Sequence, residues 1–256
     1  MRQICSEMYV ININKVKKMD DILNQIEANI NNDDVRTDCI DLGYLEDAQH
    51  EAYLTSPYFP SKCGGKPAWL NLKNLPTIKE LSCDICLQPL KFLLQIYAPL
   101  DDFPIKTFHR ILYIFICCSS TCITNKKSGM NLGNIKVFRS QLSRENDYYS
   151  YDPPNYNIHT ISANQQTLLP SIKNIPSSYK LCQLCGTYAT LKCSQCNNVR
   201  YCCKEHQKID WNFGHQQLCQ QENVIKINDL HKKLQKQYKL YHFPEYEIVL
   251  ETEEKH

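Results

Sequence analysis

Thiols and imidazoles are concentrated between residues 182 and 219 of this chain. Eight of them form four pairs, each spaced by two or three residues: Cys182-x2-Cys185, Cys193-x2-Cys196, Cys202-x3-His206 and His215-x3-Cys219. Zinc takes four tetrahedral sulfur or nitrogen ligands, and a pair at such a spacing presents two of them from one turn of the chain. Eight ligands therefore predict two zinc sites. Because four protein ligands leave no position for water or substrate, we expect both sites to be structural.

The charge of this segment argues against a nucleic-acid partner. From Lys180 to Cys219 there are five Lys/Arg and two Asp/Glu. Two zinc ions with three thiolates each bring the formal charge of +3 down to about +1. Phosphate binding requires a denser basic face. We therefore expect this segment to bind protein. A module this small depends on its metal ions, which supply about 10–16 kcal/mol of folding free energy.

The spacing resembles the MYND-type zinc finger, including the aromatic-cysteine step Tyr201-Cys202. In that family the ligand pairs interleave. The resemblance implies one zinc held by Cys182, Cys185, Cys202 and His206, and another held by Cys193, Cys196, His215 and Cys219. Cys202 completes the family spacing, which leaves the adjacent Cys203 outside both sites. Eight residues separate the two histidines, where the family pattern has about seven, so the path before His215 departs from that pattern.

The resemblance also includes Gln207 and Trp211. MYND fingers bind short proline-containing peptides, and these two residues match positions that line the peptide groove. A proline-containing peptide partner is therefore implied. The alternative is that Trp211 fills the small core of the finger.

A second group of thiols lies earlier in the chain. Cys83-x2-Cys86 precedes Cys117, Cys118 and Cys122 by about thirty residues. Two knuckles joined by two strand-like runs indicate a zinc ribbon, with Cys83, Cys86, Cys117 and Cys122 as ligands and a third zinc per chain. Cys118 is the alternative to Cys117. Buried free cysteines are the alternative to a metal site.

Composition sets the compartment and the class of partner. The 256 residues are 43% hydrophobic and 22% charged, with a formal net charge of +2, which gives no strong attraction to nucleic acid or membrane. The first residues lack the apolar stretch of a signal peptide. The longest apolar run, 111–118, is too short to cross a bilayer. A cytoplasmic protein that also enters the nucleus is expected, and there fifteen cysteines favour metal ligation over disulfides.

The elements that must position these ligands are mainly strands. Short apolar runs rich in Ile, Leu, Phe and Tyr predict strands at 90–98, 109–117 and 134–138. Alternating Tyr246, Ile248 and Leu250 predict a half-buried last strand. Helical spacing appears twice: at Val16, Met19, Leu23, Ile26 and Ile30, and at Val224, Ile227, Leu230, Leu234 and Tyr238.

These patterns divide the chain into six parts. The predicted fold class is α+β, mainly β, with a small zinc-stabilised finger inserted in a β-rich domain. The parts are a polar extension (1–40), the β-rich domain with the predicted zinc ribbon (41–160), a connector rich in proline and small polar residues (161–181), the finger (182–219), a helical segment (220–240) and a strand that returns to the β-rich domain (241–256).

Long stretches outside the finger resemble the programmed cell death protein 2 family. They are "DLGYLE" (41–46), "FPSKCGGKPAWL" (59–70), "CDICLQPLKFLLQIYAPLDD" (83–102), "FHRILYIFIC" (108–117), "VFRSQLSRENDYYSY" (137–151) and "HFPEYEIVLETEE" (242–254). The resemblance implies a non-enzymatic zinc-binding protein, a dedicated chaperone of a newly synthesised small-subunit ribosomal protein in ribosome biogenesis. Family members continue into a C-terminal part with further cysteines, which we expect this chain to lack.

MYND fingers also serve two other functions. MYND fingers also occur in SET-domain methyltransferases, but this chain has no Asn-His dipeptide, only seven glycines, and no phosphate-binding loop, so we expect no enzyme. The stronger rival is a MYND-finger adaptor in transcriptional or apoptosis-related signalling.

Overall fold

A six-stranded antiparallel sheet forms the centre of the computed structural model, which describes residues 41–100, 104–123, 133–154, 180–219 and 224–252. The sheet strands are β1 (Asp41–Glu46), β2 (Lys62–Cys63), β3 (Lys91–Tyr97), β4 (His109–Ile116), β5 (Ile135–Leu142) and β8 (Tyr246–Thr252), in the order β1-β8-β2-β3-β4-β5. The prediction of a mainly β chain is confirmed.

The most apolar runs of the sequence become the central strands. β4 is the most buried strand, because most of its eight residues are buried, and its side chains alternate between two covered faces. Edge strand β5 has no fully buried residue, as expected where one side meets solvent. β5 reaches Leu142, four residues beyond the predicted run, because it pairs with β4 along its whole length.

The last strand completes the sheet from the far end of the chain. β8 pairs with both β1 and β2. The finger lies between β5 and β8 in the sequence. Ile248 of β8 is buried, whereas Leu250 is 38% exposed. The sheet thus holds the two ends of the segment that contains the finger.

A loop over the sheet is fixed by buried polar side chains. Gln95 of β3 accepts a hydrogen bond from the Ala68 backbone N at 2.8 Å, and the Tyr113 hydroxyl of β4 accepts one from Leu70 N at 2.7 Å. Gly64 has a positive φ of 74°, and a Cβ there would lie 1.9 Å from the Pro244 carbonyl oxygen, so only glycine fits. These contacts fix residues 64–70 on the sheet, and Lys66 and Trp69 of this loop contact the finger.

Smaller elements build the zinc finger and flank the sheet. They are the single turns α1 (Pro104–Thr107) and α2 (Ser120–Ile123), the 3-10 turns Glu51–Leu54 and Ser56–Tyr58, the short hairpin β6 (Leu191–Lys192) and β7 (Arg200–Tyr201), and the helices α3 (Lys204–Asp210), α4 (Gln216–Leu218) and α5 (Val224–Tyr241). α3 and α4 are joined through the segment Trp211–His215.

Helix α5 packs into the core of the finger. Its Leu234 and Tyr238 are buried with Leu184 and Tyr201 of the finger. Both α5 residues belong to the helical pattern expected from the sequence, and Leu230 is half-buried. The side chains of Val224 and Ile227 lie outside the described residues. The apolar stripe of α5 therefore extends the small core of the finger.

Two predicted segments fall outside the described residues. They are the extension 1–40 with its proposed helix, and nearly all of the connector 161–181. Within the ranges that the structure describes, no helix combines the length and apolarity needed to cross a membrane.

Candidate metal centres

Site one consists of Cys182, Cys185, Cys202 and His206, whose ligand atoms lie within 4.8 Å of one another. The Sγ atoms of Cys185 and Cys202 are 3.7 Å apart, and His206 Nδ1 lies 3.1 Å from Cys202 Sγ. A disulfide needs about 2.05 Å, whereas sulfurs at the corners of a tetrahedron around zinc are about 3.8 Å apart, given a Zn–S bond of about 2.3 Å. The separation fits zinc and excludes a disulfide.

Site two consists of Cys193, Cys196, His215 and Cys219, again within 4.8 Å. The Sγ atoms of Cys193 and Cys219 are 3.7 Å apart, and His215 Nε2 lies 3.6 Å from Cys196 Sγ. The additional residue between the two histidines is absorbed by a kink at Gly214, where φ is 143°. The two zinc sites predicted for the finger are confirmed.

The third cluster consists of Cys83, Cys86, Cys117 and Cys122. The Sγ atoms of Cys86 and Cys117 are 3.6 Å apart, again the edge of a tetrahedron around zinc. Cys117 is buried in the cluster, whereas Cys118 is exposed and outside it. Burial raises the pKa of the Cys117 thiol to about 12, so a cation is needed to hold its thiolate at neutral pH.

The three C-x2-C knuckles share one backbone device. The residue after the second cysteine has a positive φ in each: Leu87 (59°), Gly186 (72°) and Asn197 (55°). Its backbone N–H donates to the carbonyl of the first cysteine at 2.9–3.0 Å. This left-handed turn points both thiols to one side, which explains why two intervening residues suffice.

Cys203 belongs to none of the three groups but has a structural position. It is the N-cap of α3, and its Sγ accepts a hydrogen bond from the backbone N of His206 at 3.5 Å. Cys203 therefore helps to begin the helix that carries a ligand.

His206 connects site one to the β-rich domain. Its Nδ1 faces the thiols, and its Nε2 lies 3.1 Å from the Tyr241 hydroxyl. A histidine that binds metal through Nδ1 carries its proton on Nε2 and donates from there, which fixes the ring. Lys91 of β3 donates to the Tyr241 carbonyl at 2.6 Å and lies 4.6 Å from the centre of its ring.

The first finger knuckle is held by three hydrogen bonds from outside the finger. Lys66 Nζ donates to Gln183 O at 2.6 Å, His242 Nε2 lies 2.7 Å from Leu184 O, and Trp69 Nε1 donates to Gly186 O at 2.7 Å. Burial lowers the pKa of His242 to about 4, so its ring is neutral and must carry its proton on Nε2 to donate. The finger is therefore docked on the β-rich domain.

A buried carboxylate joins the finger to α5. Asp210 is fully buried and accepts hydrogen bonds from the hydroxyl of Tyr201, at 2.5 Å, and from that of Tyr238. Burial together with the Asp210 carboxylate raises the pKa of both tyrosines, so both hydroxyls keep their protons and donate. A buried charge is tolerated where such donors satisfy it.

Gln207 and Trp211, the expected peptide-binding residues, line a common groove of about 580 Å³. Cys193 of site two and Lys204 also line it. Trp211 is only partly buried and packs edge-on against the His215 ring, with centroids 5.8 Å apart. Its indole therefore contacts both a ligand of site two and the groove.

Sequence reasoning missed the residues that hold the centres in place: Lys66, Trp69, Asp210, Tyr241 and His242. Trp69 and Gly186, for example, are 117 positions apart. Cys203, which supports the ligand helix α3, did have a local signal. It directly precedes the helix, a position that favours a side-chain acceptor.

Comparison with known proteins places both parts of the chain. Residues 39–156 match the family described as programmed cell death protein 2, N-terminal domain, and residues 182–219 match the MYND finger. The chain is similar to programmed cell death protein 2 of Bos taurus (40% identical over 215 residues, 84% of this chain and 56% of the relative) and of Mus musculus (41% over 220 residues, 84% and 56%). It is also similar to programmed cell death protein 2-like of Mus musculus (38% over 86 residues, 34% and 21%). The chain thus spans a little over half the length of the first two relatives. No solved structure matches it significantly.

Proposed function

Because the chain belongs to the programmed cell death protein 2 family, we propose that it is a dedicated chaperone of a newly synthesised small-subunit ribosomal protein. In this proposal the twelve Cys and His residues of the three groups hold zinc structurally. Four protein ligands close each site to water and substrate, which supports a non-enzymatic role.

One acidic surface carries the proposal. We define the acidic rim as Glu46, Glu247 and Glu251, which lie on one face of the β1–β8 pair. Glu46 and Glu247 are directly opposite each other in the register, and like charges in such a pair destabilise it. Lys62 is opposite Glu247 on the other side, yet its ammonium binds Glu245. Within the described residues, the rim has no cation partner.

A basic client supplies the missing cations. Unassembled ribosomal proteins have basic extended segments that bind RNA wrongly or aggregate, and an acidic surface attracts and covers them. Lysines or arginines of the client placed between Glu46 and Glu247 convert a repulsive pair into an attractive group.

A second function rests on the groove beside site two. The groove at Gln207 and Trp211 has room for a short peptide, and it supports an adaptor that recruits a proline-containing partner in transcriptional or apoptosis-related signalling. The two functions predict different partners and different critical residues.

The test measures binding of individually purified small-subunit ribosomal proteins to the zinc-loaded chain. We expect one of them to bind, and Glu46→Lys/Glu247→Lys to weaken it about tenfold or more, with a loss of affinity at higher salt. The control is Glu145→Lys/Asp147→Lys, an equal charge change in the exposed loop after β5.

Equal weakening by both double variants would refute the acidic rim as the client surface. If no ribosomal protein binds, while a proline-containing peptide binds and Trp211→Ala abolishes that binding, the adaptor is the correct function.

A further inference from the structure

Two knuckles of this chain have the same backbone conformation, but one is covered by neighbouring residues and the other is exposed to solvent. The first finger knuckle, residues 181–188, and the third-cluster knuckle, residues 82–89, are each closed by an isolated bridge, Leu181↔Tyr188 and Ser82↔Pro89. In each, the residue after the second cysteine is left-handed. Position by position, Asp84, Ile85 and Leu87 correspond to Gln183, Leu184 and Gly186.

The finger knuckle is fully engaged by its neighbours. Its apical Leu184 is completely buried. The carbonyls of Gln183, Leu184 and Gly186 accept from an ammonium, an imidazole and an indole, respectively. In this molecule, therefore, the apex of such a knuckle is a docking element with one apolar side chain and three acceptors.

The third-cluster knuckle presents the same features to solvent. Ile85 is 46% exposed and Leu87 is 75% exposed. No described residue donates to the carbonyls of Asp84, Ile85 or Leu87. A leucine in the left-handed region is strained, and here it exposes an apolar side chain where glycine would suffice.

Charge around this knuckle determines what can cover it. Four thiolates around one Zn²⁺ carry a formal charge of −2, against about −1 for a site with three cysteines and a histidine. The Asp84 carboxylate is already paired with Lys136 at 2.8 Å. The bare carbonyls accept and cannot donate. A partner must therefore bring cationic donors together with an apolar pocket.

We propose that the third-cluster knuckle is a second docking surface for the basic client, and that it binds a segment in which apolar residues are flanked by Lys or Arg. The apolar residues of the client pack against Ile85 and Leu87. Its Lys or Arg side chains donate to the free carbonyls of the knuckle, next to the dianionic cluster. This inference rests on the proposed chaperone function. It places a client contact on a zinc centre outside the finger.

The test uses a substitution that removes the contact without removing the fold. Leu87→Gly installs the residue found at the same position of the finger knuckle and relieves the left-handed strain, so the melting temperature should not fall. We expect the dissociation constant for the ribosomal protein bound by the intact chain to rise at least about tenfold. The matched control, Leu240→Ala, alters a leucine that is 73% exposed on α5 and should leave it unchanged.

A photo-crosslinking experiment separates failure of this inference from failure of the proposed function. In one variant Leu87 is replaced by p-benzoylphenylalanine, and in a control variant Leu240 is replaced in the same way. Each variant is irradiated in cells, and the proteins crosslinked to it are identified. A crosslink from position 87 to a ribosomal protein supports both proposals.

Three outcomes would overturn one or both. If the intact chain and Leu87→Gly bind the client equally, or if position 87 crosslinks to residues 1–40 or 124–132 of its own chain, the knuckle is not a client surface. If position 87 crosslinks only to a non-ribosomal protein while the intact chain still binds a ribosomal protein, the knuckle is not a client surface and the chaperone function stands. If neither position crosslinks and no ribosomal protein binds, both proposals are wrong.

Discussion

Removing a single hydroxyl from α5 should destabilise the finger measurably. Tyr238→Phe deletes one of the two hydrogen bonds to the buried Asp210 carboxylate. Hydrogen bonds to charged groups contribute about 1.5–3 kcal/mol, and each kcal/mol shifts the melting temperature of a chain of this size by about 2–4 °C. The variant should therefore melt about 3–12 °C lower than the intact protein.

The same chemical change elsewhere in the chain supplies the control. The Tyr148 hydroxyl is buried and has no hydrogen-bond partner among the residues that the structure describes. Tyr148→Phe removes a buried polar group that gains nothing, so it should leave the melting temperature unchanged or raise it slightly.

Thermal unfolding of the zinc-loaded chain, followed by circular dichroism, compares the two variants, and release of zinc to a colorimetric chelator supplies a second readout. Tyr238→Phe should also speed zinc release, because α5 carries the Tyr241 hydroxyl that fixes His206. If the two variants melt alike, Asp210 does not tie α5 to the finger, and the reasoning is wrong.

Three further predictions concern metal and protons. Elemental analysis should find three zinc ions per purified chain, and two would remove the third cluster as a zinc site. Cys202→Ser should lose the metal of site one, whereas Cys203→Ser should keep it, because serine also caps α3; equal zinc loss from both would refute the ligand assignment. His109 is buried and its pKa is lowered from 6.5 to about 4, so the unfolded chain binds its proton first as the pH falls. About 1–2 kcal/mol of stability should thus be lost between pH 7 and pH 5, and denaturant titrations of His109→Phe should show a correspondingly flatter profile.

The sequence predicted best what short-range spacing determines. Two residues between cysteines suit a knuckle, so the spacing alone identified the pairs of zinc ligands. Runs such as 109–117 predicted strands because β4 is buried on both faces and needs apolar residues at nearly every position. The interleaved order of the finger ligands came from family resemblance, since spacing alone permits other pairings.

Contacts between distant segments could not be predicted. Lys66 and Trp69 reach the finger only because Gln95 and Tyr113 fix their loop on the sheet. A lysine and a tryptophan in a loop have many possible partners, and their spacing does not select one. The contrast between the two knuckles was equally hidden, because Leu184 and Ile85 occupy the same position of the same motif and differ only in what covers them.

The docked finger determines how its role must be tested. Deleting residues 182–219 would remove the carbonyl acceptors of Lys66 and Trp69, uncover a nearly buried indole, and leave Tyr238 without Asp210. Loss of client binding in that deletion would therefore report damage to the β-rich domain as readily as loss of a binding surface. Point changes at the groove, the acidic rim or Leu87 leave those contacts in place. A division of labour between finger and sheet can be established only with such variants, because the finger is both a candidate binding module and a structural support of the domain that carries it.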